Sequence, residues 1–279
     1  MDKRSCGWAP VAVLAALAVA LPVLGQDAPT AADREQMAAE LAKKLANPVS
    51  SLISVPLQYN NDGYGGANDG ASVDLLNVQP VIPFSIGENW NLITRTIVPF
   101  VNRNDFAVEA MNESGLGDIL ASQFFSPKAP TGGGWIWGAG PAEQLPTASK
   151  ETLGSDKWGL GPTAVALRQS GAWTVGMLTN HIWSVGGDAD RDDVSATLVQ
   201  PFCSYTTKTH TNIGVNTETT YDWIGEQWSV PVIFQVAQLL KAGPQILQLT
   251  FSAKYWADAA EDGPDGWGLR ATLTLLFPK

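Results

Sequence analysis

Cysteine is nearly missing: the 279 residues hold two, Cys6 and Cys203. If the first 25 residues leave on export, as argued below, Cys203 stands alone and no internal disulfide can form. Histidine is as scarce, with only His181 and His210, which leaves little for general acid–base chemistry. Basic residues number 17 against 27 acidic ones, a formal net charge of −10. Such a chain, without clustered Lys and Arg, is a poor partner for nucleic acid. Long apolar runs are absent too. Beyond the N-terminal stretch no 18-residue apolar segment occurs. That excludes a bundle of spanning helices but not a β-barrel, whose alternating strands average to neutral hydropathy.

What is present begins with an export signal over residues 1–25. Lys3 and Arg4 form its positive end, Val11 to Leu21 its apolar stretch, and Val23-Leu-Gly25 a small-residue cleavage site before Gln26. The apolar run is too short to span a membrane, and no Cys follows at the position a lipoprotein needs. Residues 31–46 read as a short helix, rich in Ala, Leu, Glu and Lys, with Met37, Leu41 and Leu45 on one face and Asn47-Pro48 as its stop. The simple reading makes 26–48 a periplasmic helix or lead-in, with a plug or partner helix as the alternative, and 49–279 a barrel.

The barrel expectation comes from period-two alternation. In Trp267–Phe277, Trp267, Leu269, Ala271, Leu273, Leu275 and Phe277 are apolar, Gly268, Arg270, Thr272 and Thr274 are small or polar, and only Leu276 breaks the pattern. Leu247, Leu249, Phe251, Ala253 and Tyr255 alternate in the same way with Gln248, Thr250, Ser252 and Lys254. Successive strand residues point to opposite faces, so each segment has a greasy face and a wet one. Twelve strand candidates follow: 52–59, 73–86, 90–102, 116–126, 134–142, 158–169, 173–184, 194–206, 210–220, 228–238, 246–256 and 267–277. Long and short links alternate through most of the chain, as in a closed barrel with tight inner turns and long outer loops. Of the 26 acids after Gly25, 18 fall in the six links assigned outside. Most of the ten Trp after Gly25 sit at strand ends, where interfacial aromatic girdles need them. Seven prolines (Pro80, Pro83, Pro99, Pro141, Pro162, Pro201 and Pro231) fall inside strand candidates, so they require bulges, strand ends or interruptions.

The fold class expected is therefore all-β, a 12-stranded antiparallel transmembrane β-barrel with a short N-terminal helix. Its candidate site is the lumen. Alternation places Arg270, Thr272, Thr274 and Lys254 inside, and Arg95 and Arg168 join them as candidate solute-binding residues. Arg270 and Lys254 have no acid on their own strand faces and are expected to carry free positive charge. The competing reading pairs them with inward acids and closes the lumen as a packed core. Other constellations are weak. His210 shares a face with Asn212 but has no Ser on its strand for a hydrolytic triad. The loop 188–193 alternates Asp like a calcium loop, yet its twelfth position is Val199 rather than Glu. It reads as a solvated acidic loop, with divalent-ion bridging to lipopolysaccharide as the alternative. The glycines of 132–134 and 138–140 lack a strand–turn–helix context for phosphate. No catalytic residue, metal or cofactor is expected.

Several stretches carry a family resemblance. They are Asn47-Pro-Val-Ser-Ser-Leu-Ile-Ser-Val-Pro56, Asn77-Val-Gln-Pro-Val-Ile-Pro-Phe84 and Asn89-Trp-Asn-Leu-Ile-Thr-Arg-Thr-Ile-Val-Pro99, then Leu116-Gly-Asp118, Gly187-Asp-Ala-Asp-Arg-Asp-Asp193, Gln200-Pro-Phe202 and Leu275-Leu-Phe-Pro-Lys279. Together, over about Asn47 to Lys279, they resemble the Gram-negative outer-membrane transporter family related to the MetA-pathway of phenol degradation, sometimes mislabelled neuromedin U. The resemblance implies a barrel in the outer membrane and brings neither a substrate nor catalytic residues. The function expected is a porin-like channel passing small organic solutes, aromatic or anionic ones among them, by passive diffusion. The alternative is a non-conducting structural or surface-binding barrel with a filled lumen. Expected partners are outer-membrane lipid, lipopolysaccharide and a small-molecule solute. The oligomeric state is left open.

Overall fold

The computed structural model describes residues 31–278, so the expected export signal lies outside the described residues. Helix α1 (Ala31–Leu45) ends where Asn47 and Pro48 stop it. Fifteen strand segments follow: β1 (Ile53–Gly63), β2 (Ser72–Val78), β3 (Val81–Ile86), β4 (Trp90–Asn104), β5 (Ser114–Leu116), β6 (Ile119–Pro127), β7 (Trp135–Leu145), β8 (Lys157–Ser170), β9 (Trp173–Gly187), β10 (Ser195–Thr206), β11 (Thr211–Thr217), β12 (Thr219–Asp222), β13 (Gln227–Ala242), β14 (Gln245–Asp258) and β15 (Gly266–Phe277). Three interrupted pairs (β2/β3, β5/β6 and β11/β12) each act as one stave, which gives twelve staves, all antiparallel to their neighbours. The barrel closes where β1 meets β15, from Ile53 opposite Phe277 to Asn61 opposite Leu269. Each expected strand falls on one stave.

The prolines sit where the hydrogen-bond ladder is already broken. Pro80 occupies the gap between β2 and β3. Pro99 faces the gap between β5 and β6, and Pro201 the gap between β11 and β12. Pro231 marks a register shift in β13, and Pro83 lies beyond the end of β1. Pro141 and Pro162 oppose each other, each next to a skipped stretch of ladder on its outer side. The glycine preceding each proline, Gly140 and Gly161, is required there. A β-carbon would run into the carbonyl oxygen of Gln123 or His181 respectively.

The two faces of the wall are inverted relative to a water-soluble protein. Outside, Trp267 and Leu269 are 67% and 65% exposed and Phe251 is 61% exposed, whereas Arg270, Thr272 and Thr274 on the same strand are buried inside. Outward aromatics form two bands. At the short-turn end Trp90 packs on Trp137 and Trp173 on Tyr205, with ring centroids 5.8 and 5.1 Å apart. At the long-loop end Tyr221 packs on Trp223 and Trp228, and Tyr255 on Trp267. An apolar belt between aromatic girdles around a polar interior is the surface that hydrocarbon, not water, accommodates.

Apolar packing inside comes from the N-terminal segment. Leu41 and Leu52 bury against Leu276, with Leu45, Leu239 and Ile246 around them. The single break in the alternation of β15 is thus the inner landing site for α1 and the segment after it. Further in, Val49 packs against Ile93, Phe124, Val165, Leu167 and Leu178. Gln169 fixes the helix end by donating from Nε2 to the carbonyl of Lys43 at 2.9 Å. Residues 46–52 therefore sit within the short-turn mouth rather than leading away from it.

The long loops are tied to one another. Arg191 donates to the carbonyls of Glu151 and Gly154 at 2.9 and 2.6 Å, joining loops 146–156 and 188–194. Asp193 accepts from Lys157 Nζ at 3.1 Å and from Ser184 Oγ at 3.0 Å. The Lys157 bond, with Ser184 second, holds its carboxyl below the ordinary value of 3.8.

Candidate functional site in the barrel lumen

Alternation sends every second residue inward, so the lumen is lined by the polar members of each strand. On β15, Arg270 stands between Asn60 of β1 and Ser252 of β14, its direct neighbours in register. Its Nε donates to Asn60 Oδ1 at 2.6 Å, and its two terminal nitrogens grip Glu218 Oε1 and Oε2 at 2.7 Å each. Glu218 occupies the break between β11 and β12, separated from β15 by β13 and β14. The interruption frees its carboxylate to reach across the concave wall.

Lys254 is paired as well. Its Nζ lies 2.6 Å from Asp62 Oδ2, and Trp256 Nε1 donates to Asp62 Oδ1 at 2.9 Å. These residues stand on β14 and β1, with β15 between them. Gly268 of β15 makes the contact possible, since a β-carbon there would collide with the Asp62 carboxylate. The expectation that Arg270 and Lys254 carry free charge is therefore corrected: each is neutralised by an inward acid on another strand. Same-strand reasoning missed those acids, although parity could have found them. Asn212, Gly214, Asn216 and Glu218 share one face, as do Asn60 and Asp62.

Arg95 also faces the lumen, where one terminal nitrogen donates to Gln79 Oε1 at 2.7 Å. Gln79 passes the chain on to Gln58 at 3.1 Å. Thr272 and Thr274 are buried beside them. Arg168 is different: it is exposed on the outer face of β8, opposite Trp135 of β7. The reason is register. Val165 and Leu167 turn inward to pack on Val49, so Arg168 must turn outward near the short turn, where its head can reach past the apolar belt.

A cavity of about 300 Å³ lies among these groups. Its polar lining includes Arg95, Glu218, Arg270, Thr250, Thr272 and Thr274, its apolar lining includes Leu178, Phe202 and Val81, and residues between Ala42 and Leu52 close it toward the short-turn mouth. Histidine takes no part. His181 meets Thr197 Oγ1 at 2.6 Å and stacks on outward-facing Trp183, and His210 sits in a tight turn at φ 58°.

No family model and no curated protein sequence matches the chain. Solved structures do. An outer membrane channel from Pseudomonas putida F1 superposes with a TM-score of 0.63 at 16% identity, covering 81% of this chain and 94% of that one. The NanC porin superposes with a TM-score of 0.50 at 10% identity, covering 81% of this chain and 100% of that one. At such identities the likeness is one of fold: this chain is a closed 12-stranded antiparallel β-barrel with one short N-terminal helix.

Proposed function

We propose that this chain is a β-barrel of the Gram-negative outer membrane that passes small organic solutes through its lumen by passive diffusion. The observation that carries the reading is the inverted wall: an exposed apolar belt outside, and buried Arg, Thr, Ser and Asn around a cavity inside. A closed barrel satisfies its backbone within itself, which hydrocarbon demands, and leaves the polar interior for an aqueous solute. That structures of like fold are described as an outer membrane channel and a porin supports the reading. The family resemblance extends it to aromatic solutes, for which Phe202, Leu178 and Val81 offer an apolar wall. Lipid and lipopolysaccharide then surround the belt and the outer girdle.

A second reading has its own observation. The N-terminal segment occupies one mouth, and two ion pairs brace the lumen, as in a filled barrel that conducts nothing. Planar-bilayer recording on the refolded mature chain separates the two. Discrete conductance steps are expected for the channel. Inserted protein that passes no current over a wide voltage range overturns it and favours the filled barrel.

A further inference from the structure

The cavity is electrostatically one-sided. Its charged lining is Lys44, Arg95 and Arg270 against Glu218, three positive groups to one negative. Glu218 is fully engaged by Arg270 through two 2.7 Å bonds. Arg95 has no carboxylate within 4.0 Å among the described residues and donates to an amide oxygen instead. A guanidinium carries five N–H donors in a planar fork that fits a carboxylate with two parallel bonds.

Two further polar groups on the cavity lining are unmatched. Ser252 Oγ and Asn216 Oδ1 are buried without a hydrogen-bond partner among the described residues. The Ser252 residue is only 7% exposed and adjoins Arg270 in register. Buried polar atoms left unpaired are costly, so such atoms on residues that line a cavity mark where a guest's polar groups belong. Leu178, Phe202 and Val81 on the same lining, with Val81 beside Arg95 and Phe202 beside Asn216 in register, offer nothing to an inorganic anion but suit a carbon skeleton. A volume of about 300 Å³ is at the small end of ligand pockets, which run roughly from 300 to 1,000 Å³.

From this we infer that the lumen contains a discrete binding site for a small organic monocarboxylate. Its carboxylate meets the open side of the Arg95 fork, its hydrogen-bonding substituents meet Ser252 and Asn216, and its apolar body lies on Leu178 and Phe202. The inference rests on the reading of the barrel as a passage for small solutes and names the class that lingers inside it. Arg270 is a positioning residue here: by occupying Glu218 it keeps that carboxylate from capturing Arg95.

The test is equilibrium binding to the folded mature chain in detergent, followed by calorimetry. Acetate, lactate and benzoate are each compared with the matching neutral amide. Saturable binding of at least one carboxylate is expected, about tenfold or more tighter than its amide, because a charge-assisted bidentate contact is lost with the charge. Arg95→Gln should abolish that preference and Arg95→Lys should keep part of it, with strand content checked by circular dichroism. If Arg95→Gln fails to fold, the acid–amide comparison on the native chain decides alone. Equal binding of acid and amide, no saturable binding of any carboxylate, or unchanged binding in folded Arg95→Gln overturns the site. Conductance is recorded separately. A chain that binds carboxylate but passes no current overturns the passage and leaves the site, while a conducting chain that binds none overturns the site alone.

Discussion

Arg270 and Glu218 meet as a bidentate pair across two intervening strands, with both nitrogen–oxygen distances at 2.7 Å. The pair links the seam half of the barrel to the broken stave β11/β12, so its loss has two readouts. Arg270→Gln and Glu218→Gln should each lower stability by about 1.5–3 kcal/mol, the range for hydrogen bonds to charged groups. The double variant should lose less than the sum, as urea unfolding in a double-mutant cycle would measure. In an open channel the single variants should shift reversal potential in opposite directions. Glu218→Gln unmasks a cation and favours anions, and Arg270→Gln unmasks an anion and favours cations. Shifts of the same sign would mean that the two charges do not compensate each other.

Thr272 and Leu273 are neighbours on β15 that face opposite sides of the wall. An Arg at Leu273, placed in the apolar belt, should cost about 2–4 kcal/mol, the range for basic residues near mid-bilayer. An Arg at Thr272 enters a polar cavity and should cost much less. Folding titrations of the two variants into vesicles would compare them, and equal costs would remove the assignment of inner and outer faces.

The staves were legible because membrane and lumen impose opposite demands on alternate residues. Trp267 to Phe277 shows both faces and the one exception, Leu276, whose meaning needs the packing of Leu41 and Leu52 to be seen. Strand limits were less legible. The expected first strand stops at 59, whereas β1 continues to Gly63 and carries Asn60 and Asp62 into the lumen. Charge pairing was hidden for a related reason: Lys254 with Asp62 and Arg270 with Glu218 are 192 and 52 residues apart in sequence. They meet only because the barrel curves and because Gly268 leaves a gap. Arg168 was misplaced since a lone Arg in a mixed strand has no parity until its apolar neighbours find their partner, which here is Val49.

Val49 holds the inner end of the N-terminal segment among Ile93, Phe124, Leu167 and Leu178. Val49→Asp would place a carboxylate in that apolar nest at a cost of about 3 kcal/mol or more after relaxation. That is enough to lower the seated population by about a hundredfold. The wall itself keeps its ladder, since residue 49 belongs to no strand. Open-state conductance in planar bilayers should therefore rise relative to the native chain, while strand content stays constant. Unchanged conductance would mean that the segment does not obstruct the permeation path.

Asp193 ties the acidic loop 188–194 to the barrel rim through Lys157 and Ser184. Its carboxyl is held below the ordinary 3.8, first by the Lys157 hydrogen bond. A lowered folded-state value means that the tie contributes fully above pH 3.8 and is lost as pH falls through the lowered value. The hydrogen bonds from Arg191 run to the backbone carbonyls of Glu151 and Gly154 rather than to a carboxylate, so they confine the opening to the Asp193 side. Nicking of the loop by an acid-active protease, normalised to an unstructured substrate, should be faster at pH 2 than at pH 5. Asp193→Ala removes both bonds at either pH, so its nicking should be fast throughout and lose that dependence. Equal normalised rates in the native chain at the two pH values would mean that this carboxylate does not hold the loop.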